Sequence, residues 1–134
     1  MTSLKRPLKV EIRMTDQKGW GCFATSPIFQ GEIIEECPLL FFPKEIYNHI
    51  PNFLMDYIFG FPHTNPQEQP TIALGFGSIY NHSNTPNAGW RHHPDGYKIF
   101  QFIARKDIKA GEEICTYYGG EDYWAQRSHI KLIP

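Results

Sequence analysis

Short segments of alternating polarity dominate the chain. Residues 8–14 set Leu8, Val10 and Ile12 against charged neighbours, which is the two-residue period of a half-buried strand. Other apolar and β-branched runs predict further strands at residues 21–24, 32–37, 97–104 and 113–118. Eleven prolines and eleven glycines interrupt any longer 3.6-residue apolar period. The pattern therefore predicts a mainly β fold.

One helix and two connections stand out between these strands. Residues 43–52 are predicted to form the helix, because Pro43 suits a first turn and Pro51 limits the far end. The proline-rich residues 62–70 predict a surface loop, and residues 90–96 predict a hairpin turn.

One short pattern occurs twice. Residues 28–34 and 108–114 both place an isoleucine three residues before Gly-Glu and then return to apolar residues. A tight turn between two short strands, with glycine at positive φ, explains each copy. The repetition is too short for a solenoid, and it suits a compact fold of small sheets with similar corners.

Composition narrows the class of protein. A chain of 134 residues fits one domain. Thirteen lysines and arginines face 14 acidic residues, so there is no overall basic field for nucleic acid. The three cysteines have no Cys-x-x-Cys spacing, and no run resembles a signal peptide or a membrane span. We expect a soluble protein of a reducing compartment, nuclear or cytoplasmic, that binds neither nucleic acid nor membrane.

Three separated segments carry candidate chemistry. Gly19-Trp20-Gly21 can form a glycine turn whose main chain approaches a ligand closely. Residues 81–87 (Asn-His-Ser-Asn-Thr-Pro-Asn) can form a turn held by side-chain to main-chain hydrogen bonds. The paired tyrosines of residues 111–119 can be packed aromatic side chains on a strand. Each segment alone has a purely structural explanation.

Together, the three segments resemble the signature of SET-domain protein-lysine methyltransferases. Residues 81–87 match the family pattern Asn-His-Ser-x-x-Pro-Asn at every defined position. The resemblance covers about residues 8–124 of a single domain spanning 1–134, and it is to minimal, viral-type members without zinc-binding flanking modules. It implies a β-clip fold of several small sheets with short helices and a C-terminal pseudoknot, a rare exception to unknotted chains. Such threading would bring Asn81 and His82 into contact with Tyr118.

The resemblance also implies S-adenosylmethionine as the cofactor, with S-adenosylhomocysteine as the product. The matching cofactor-binding positions are Lys18, Gly19, Trp20, Gly21, Tyr57, Asn81, His82, Tyr118 and Trp124. Tyr123 and Trp124 would form a lid over the cofactor. Relatives that bind zinc beside the site carry a cysteine directly after Asn-His-Ser. This chain has Asn84 there, so we expect no metal.

Tyr118 is the catalytic residue that the resemblance implies. In the family pattern the catalytic tyrosine lies five residues after a glutamate, and counting from Glu113 selects Tyr118 rather than Tyr117. The candidate residues of the lysine channel are Tyr57, Tyr80, Thr116 and Tyr117. For Tyr57, a core position on a strand with Phe59 and Phe61 is the alternative.

The implied function is methyl transfer to a lysine side chain, with a histone tail as the expected substrate. Alignment of the reacting atoms and exclusion of water can supply about 7–11 kcal/mol to such a displacement, and tyrosine ring faces attract the cationic lysine and sulfonium. The viral members suggest a homodimer. Two alternatives stay open: a catalytically silent SET-like module that binds a peptide, and a small β domain that binds a carbohydrate-like ligand through surface aromatic residues.

Overall fold

The computed structural model describes residues 3–61, 69–95 and 98–118. Strands dominate this part of the chain, which confirms the mainly β prediction. In chain order the elements are β1 (Val10–Met14), β2 (Trp20–Ala24), β3 (Ile33–Phe41), a 3₁₀ helix (Lys44–His49), α1 (Asn52–Met55), β4 (Ile58–Phe61), β5 (Gln69–Ala73), β6 (Asn81–His82), β7 (Ala88–His92), β8 (Ile99–Ala104) and β9 (Glu113–Thr116). Within the described ranges, neither helix has the length and apolar character needed to cross a bilayer.

The first sheet has the strand order β1-β2-β9-β6. β1 and β2 form an antiparallel hairpin in which Val10 lies opposite Ala24 and Met14 opposite Trp20. β9 pairs antiparallel with β2, and β6 pairs with the other edge of β9 in the parallel direction. The sequence alternation at the start of the chain therefore predicts a real strand, although it begins at Val10 because the preceding residues form a turn.

The second sheet has the strand order β4-β5-β3-β8-β7. β3 is longer than the predicted strand 32–37, since it pairs with β8 up to Pro38 and then with β5 from Leu39 to Phe41. Phe100 and Phe102 of β8 are fully buried and form the centre of the hydrophobic core. β7 and β8 form the predicted hairpin, but the predicted turn over residues 90–96 begins too early, because residues 90–92 pair with β8 as the end of β7.

The repeated Gly-Glu pattern forms two matching turns that connect the sheets. One turn leads from β2 to β3 and the other from β8 to β9. Ile28 and Ile108 exchange both main-chain hydrogen bonds, at 2.9 and 2.7 Å. Gly31 and Gly111 have φ values of 86° and 90°, which confirms the predicted left-handed glycines. The two copies thus support each other across a short antiparallel bridge.

The predicted helix over residues 43–52 is a 3₁₀ helix from Lys44 to His49, followed by a separate short α-helix. Its first hydrogen bond runs from Ile46 N to the Pro43 carbonyl at 3.0 Å, which is the 3₁₀ spacing. Ile50 is extended because Pro51 disfavours helical geometry in the residue before it. The prediction of a loop at 62–70 fails at its end, because Gln69 and Pro70 belong to β5; residues 62–68 lie outside the described residues.

Candidate functional site

The parallel pairing of β6 with β9 joins two of the three candidate segments. Asn81 lies beside Cys115 and His82 beside Thr116, and Ser83 N donates to the Thr116 carbonyl at 2.9 Å. Tyr118 N donates to His82 Nδ1, also at 2.9 Å. The predicted contact between the Asn81-His82 segment and Tyr118 is therefore confirmed. The passage of the chain beyond Tyr118, on which the predicted pseudoknot depends, lies outside the described residues.

A polar cluster joins the third segment to the other two. Glu113 on β9 accepts from the Lys18 ammonium at 2.7 Å through Oε1 and from the Asn81 amide at 2.8 Å through Oε2. Asn81 Nδ2 also lies 3.1 Å from the Trp20 carbonyl. The Lys18 and Glu113 side chains are only 25% and 17% exposed, so their ion pair is partly shielded from water. The cluster offers a cation, an anion and an amide within one small region.

The glycines on either side of Trp20 serve different purposes. Gly19 has a φ of 72°, and a Cβ there would meet no atom of the described residues within 4 Å. At Gly21 a Cβ would lie 2.7 Å from Glu113 Oε2 and 3.0 Å from Asn81 Nδ2. Gly19 therefore makes the turn, whereas Gly21 makes room for the polar cluster. Trp20 between them is 58% exposed at the edge of this region.

The Tyr118 hydroxyl is held by the main chain of the Asn-His segment. It donates a hydrogen bond to the Tyr80 carbonyl. A phenol has one proton to donate, so this bond leaves the oxygen of Tyr118 to act as an acceptor. The Tyr118 side chain is therefore suited to receive a donor such as an amine or a polarised methyl group.

His82 is oriented from both sides. Because an amide N–H can only donate, the Nδ1 atom that receives the Tyr118 N–H carries no proton. The neutral imidazole then has its proton on Nε2, which faces Asn84 Oδ1 at 3.0 Å. In the sequence, Asn84 is notable only because it replaces the zinc-binding cysteine of other relatives. In the structure it orients the His82 ring, which in turn accepts the hydrogen bond from Tyr118 N.

Asn87, the last residue of the second segment, supports β9 directly. Its Nδ2 donates to the Glu113 carbonyl and its Oδ1 accepts from Cys115 N, both at 2.9 Å. One side chain thus replaces a strand partner for two main-chain groups of β9. This support sets the position of the strand that carries Glu113 and leads to Tyr118.

The four predicted channel residues have different surroundings. Tyr57 and Tyr117 are 48% and 49% exposed, whereas Thr116 and Tyr80 are 3% and 1% exposed. The alternative core position for Tyr57 is wrong, because that ring lies before β4 and is half exposed. The Tyr80 ring lies in the core, and only its carbonyl reaches Tyr118. Both predicted lid residues, Tyr123 and Trp124, lie outside the described residues.

Sequence reasoning missed three residues that build this site. In the sequence, Glu113 serves only to locate the catalytic tyrosine five residues later. In the structure, its carboxylate binds both Lys18 and Asn81. Asn84 and Asn87 are visible only as motif positions. A signal did exist for Asn87, since an asparagine after proline is a turn-forming residue whose amide can hydrogen-bond main-chain groups.

Comparisons with known proteins agree with this geometry. The SET domain family profile matches residues 19–119. A Schizosaccharomyces pombe protein named histone-lysine N-methyltransferase, H3 lysine-37 specific, is 36% identical over 118 residues, which are 87% of this chain and 76% of the relative. The crystal structure of a Plasmodium falciparum protein described as a candidate histone methyltransferase has a TM-score of 0.69 and 30% identity, over 86% of this chain and 96% of the other.

The fold and the site thus define a small β-rich domain in which the glycine, asparagine and tyrosine segments lie side by side along one sheet. The chain belongs to the SET domain family. Its activity class is that of a SET-domain lysine methyltransferase.

Proposed function

We propose that the protein transfers a methyl group from S-adenosylmethionine to a histone lysine, with Tyr118 as the catalytic residue. One observation carries this assignment: the Tyr118 hydroxyl is bound to the Tyr80 carbonyl, directly beside the segment whose Asn81 joins the polar cluster. Of the two neighbouring tyrosines, only Tyr118 donates its hydroxyl to this segment in the described contacts. The five-residue spacing from Glu113 in the family pattern also selects Tyr118.

The residues of the polar cluster suit the cofactor chemically. The methionyl end of S-adenosylmethionine carries an ammonium and a carboxylate, and the cluster presents the Glu113 carboxylate and the Lys18 ammonium. No atom of the described residues occupies the Cβ side of Gly19, so the main chain there can approach a ligand. The exposed Trp20 offers an aromatic face. We therefore assign Lys18, Gly19, Trp20, Gly21, Asn81 and His82 to cofactor binding, with Tyr57, Tyr118 and Trp124 as further contacts.

Bound S-adenosylmethionine supplies a methyl group attached to a positively charged sulfur. The chain itself supplies alignment and a dry, aromatic surrounding. The Tyr118 oxygen, with its proton engaged by Tyr80, accepts from the substrate amine and from the polarised methyl. The substrate lysine has an ordinary pKa of about 10.4, and loss of water beside a positive charge lowers the pKa. We assign no side chain as a general base.

A histone tail is the proposed substrate. The S. pombe relative is named for lysine 37 of histone H3. Such a substrate places the protein in a nucleus, and Tyr57, Thr116 and Tyr117 would line the lysine channel. A homodimer remains a prediction. The catalytically silent module is not favoured, since the tyrosine and both cofactor segments are present.

Methyl transfer to a histone H3 peptide containing lysine 37 tests the proposal. Tyr118→Phe should lower kcat by about 100-fold, because an oriented acceptor is lost. Tyr117→Phe should cost less than Tyr118→Phe. Tyr47→Phe is the matched control, since its buried hydroxyl has no hydrogen-bond partner among the described residues. Wild-type-like turnover by Tyr118→Phe would disprove the catalytic assignment, and no transfer to any histone by the native protein would disprove the substrate class.

A further inference from the structure

Glu35 is a buried carboxyl group outside the polar cluster. It lies on β3 and is 1% exposed. Burial raises its pKa above the ordinary value. No ion pair among the described residues includes Glu35. Burying a carboxyl group without a cation costs free energy unless hydrogen bonds satisfy it. The neighbours of Glu35 must therefore supply hydrogen bonds.

The surroundings of Glu35 are built to hold this group. The Tyr80 hydroxyl donates to Glu35 Oε1 at 2.6 Å, and Phe76 N lies 3.4 Å from Oε2. Burial and the nearby Glu35 carboxyl group raise the pKa of the Cys37 thiol. Gly75, at a φ of 77°, would place a Cβ only 3.0 Å from Oε2. The loop before β6 therefore closes tightly around one carboxyl group.

Tyr80 connects this group to Tyr118. Its ring is 1% exposed and stacks on Phe102 with the ring centroids 4.7 Å apart. Its carbonyl, at the start of β6, accepts the Tyr118 hydroxyl. The side chain of Tyr80 is thus fixed in the core while its main chain faces the site. Movement of the Tyr80 ring would displace the Tyr80 carbonyl, because both groups are attached to the same Cα atom.

We propose that Glu35 and Tyr80 form a positioning pair that orients the Tyr118 hydroxyl through the Tyr80 carbonyl. The proposal rests on the proposed function, since it assigns a purpose to the orientation of Tyr118. The pair touches neither substrate nor cofactor. It acts by limiting the positions that the carbonyl can take, and so fixes the orientation of the Tyr118 hydroxyl.

Two variants separate positioning from stability. Tyr80→Phe removes the hydroxyl and leaves Glu35 without its closest donor. The double variant Glu35→Leu/Tyr80→Phe replaces both partners of the buried hydrogen bond by apolar side chains, an exchange that can be nearly neutral or stabilising for the fold. Tyr47→Phe again removes one buried hydroxyl away from these contacts. Thermal unfolding of all variants establishes that each is folded before kinetics are measured.

The measurements are kcat, KM for the H3 peptide, and the NMR signal of Tyr118 in protein labelled with ¹³Cζ-tyrosine. The signal is assigned with Tyr118→Phe and needs no turnover. In both Tyr80 variants we expect kcat to fall about tenfold, within the range that slight misplacement can cost, with KM unchanged within about twofold. The Tyr118 signal should shift or broaden in both, and Tyr47→Phe should match the wild type in every measurement.

Two failures are distinguishable. If the wild-type protein methylates no histone, the proposed function fails, and the NMR signal still reports whether the pair orients Tyr118. If the wild type is active but a folded double variant keeps both its kcat and its Tyr118 signal, the pair is merely structural and the inference is wrong. If Tyr80→Phe does not fold, the kcat and the Tyr118 NMR signal of the double variant test the inference.

Discussion

Gly21→Ala is the sharpest test of the polar cluster. An alanine Cβ would lie 2.7 Å from Glu113 Oε2, where ordinary contact begins at 3.4 Å. The carboxylate cannot retreat freely, because Lys18 and Asn81 hold it at 2.7 and 2.8 Å. Overpacking of this kind costs about 1–3 kcal/mol. A less flexible unfolded chain offsets about 0.4–1 kcal/mol, so we expect a net loss of roughly 1–2 kcal/mol in the free energy of unfolding.

The effect on cofactor binding should be larger than the effect on stability suggests. Displacing Glu113 weakens at least one charge-assisted hydrogen bond, worth about 1.5–3 kcal/mol. The Kd for S-adenosylmethionine should therefore rise roughly 10- to 100-fold. Urea unfolding and isothermal titration calorimetry measure the two quantities separately.

Gly31→Ala is the matched control. Gly31 has a φ of 86°, and a Cβ there would meet no atom of the described residues within 4 Å. The cost there is backbone strain of about 1–2 kcal/mol, offset by the same loss of freedom in the unfolded chain. Both variants should be destabilised to a similar degree, and only Gly21→Ala should lose cofactor affinity. Unchanged affinity in folded Gly21→Ala would refute the reasoning, as would an equal loss in Gly31→Ala.

Three further predictions concern stability and reactivity. Asn87→Ala should lower the free energy of unfolding in urea by about 1–3 kcal/mol, because β9 loses two hydrogen bonds; Asn87→Asp, which keeps the acceptor but sets a carboxylate oxygen against the Glu113 carbonyl, should lose at least as much. Burial raises the pKa of Glu35, so its contribution to stability falls as pH rises from the unfolded pKa through the folded pKa. A hydrogen bond from Gln101 lowers the pKa of Glu36. The contribution of Glu36 to stability is therefore lost as pH falls through its pKa in the folded state. Stability curves of Glu35→Gln and Glu36→Gln against pH should thus depart from the wild type in opposite directions. Burial raises the pKa of all three cysteine thiols, that of Cys115 to about 11, so iodoacetamide at pH 8 should label them only after denaturation.

Each of these three predictions has a contradicting result. Equal stability of Asn87→Ala and the wild type would mean that other contacts hold β9. Parallel pH curves for the two glutamine variants would contradict the opposite pKa shifts. Rapid labelling of a cysteine in the native protein, detected by mass spectrometry, would contradict its burial.

Local chemistry made much of the fold predictable. Alternation of apolar and charged residues predicted β1, because a strand with one buried face needs a period of two residues. The two Gly-Glu turns were predictable for a similar reason, since positive φ favours glycine. The three signature segments predicted the family, and with it the contact between His82 and Tyr118.

Other features depended on neighbours distant in the sequence. β3 extends past Cys37 only because β5 pairs with its second half. The helix between Pro43 and Pro51 became a 3₁₀ turn because both ends are restricted by proline and no buried face supports it. Tyr80 looked like a channel residue, yet Glu35 holds its ring in the core, across a separation of 45 residues.

The sequence by itself therefore predicted β1, β2, β8 and β9, the first part of β3, the two glycine turns and the residue types that the proposed chemistry needs. Only the tertiary structure decided which of them meet. Glu113 joins Lys18 and Asn81 because β9 lies between β2 and β6, and Tyr118 is oriented by a carbonyl that belongs to another strand's segment. Periodicity and turn preferences arise from interactions within a few residues, whereas strand order and side-chain partners arise from how the whole chain packs.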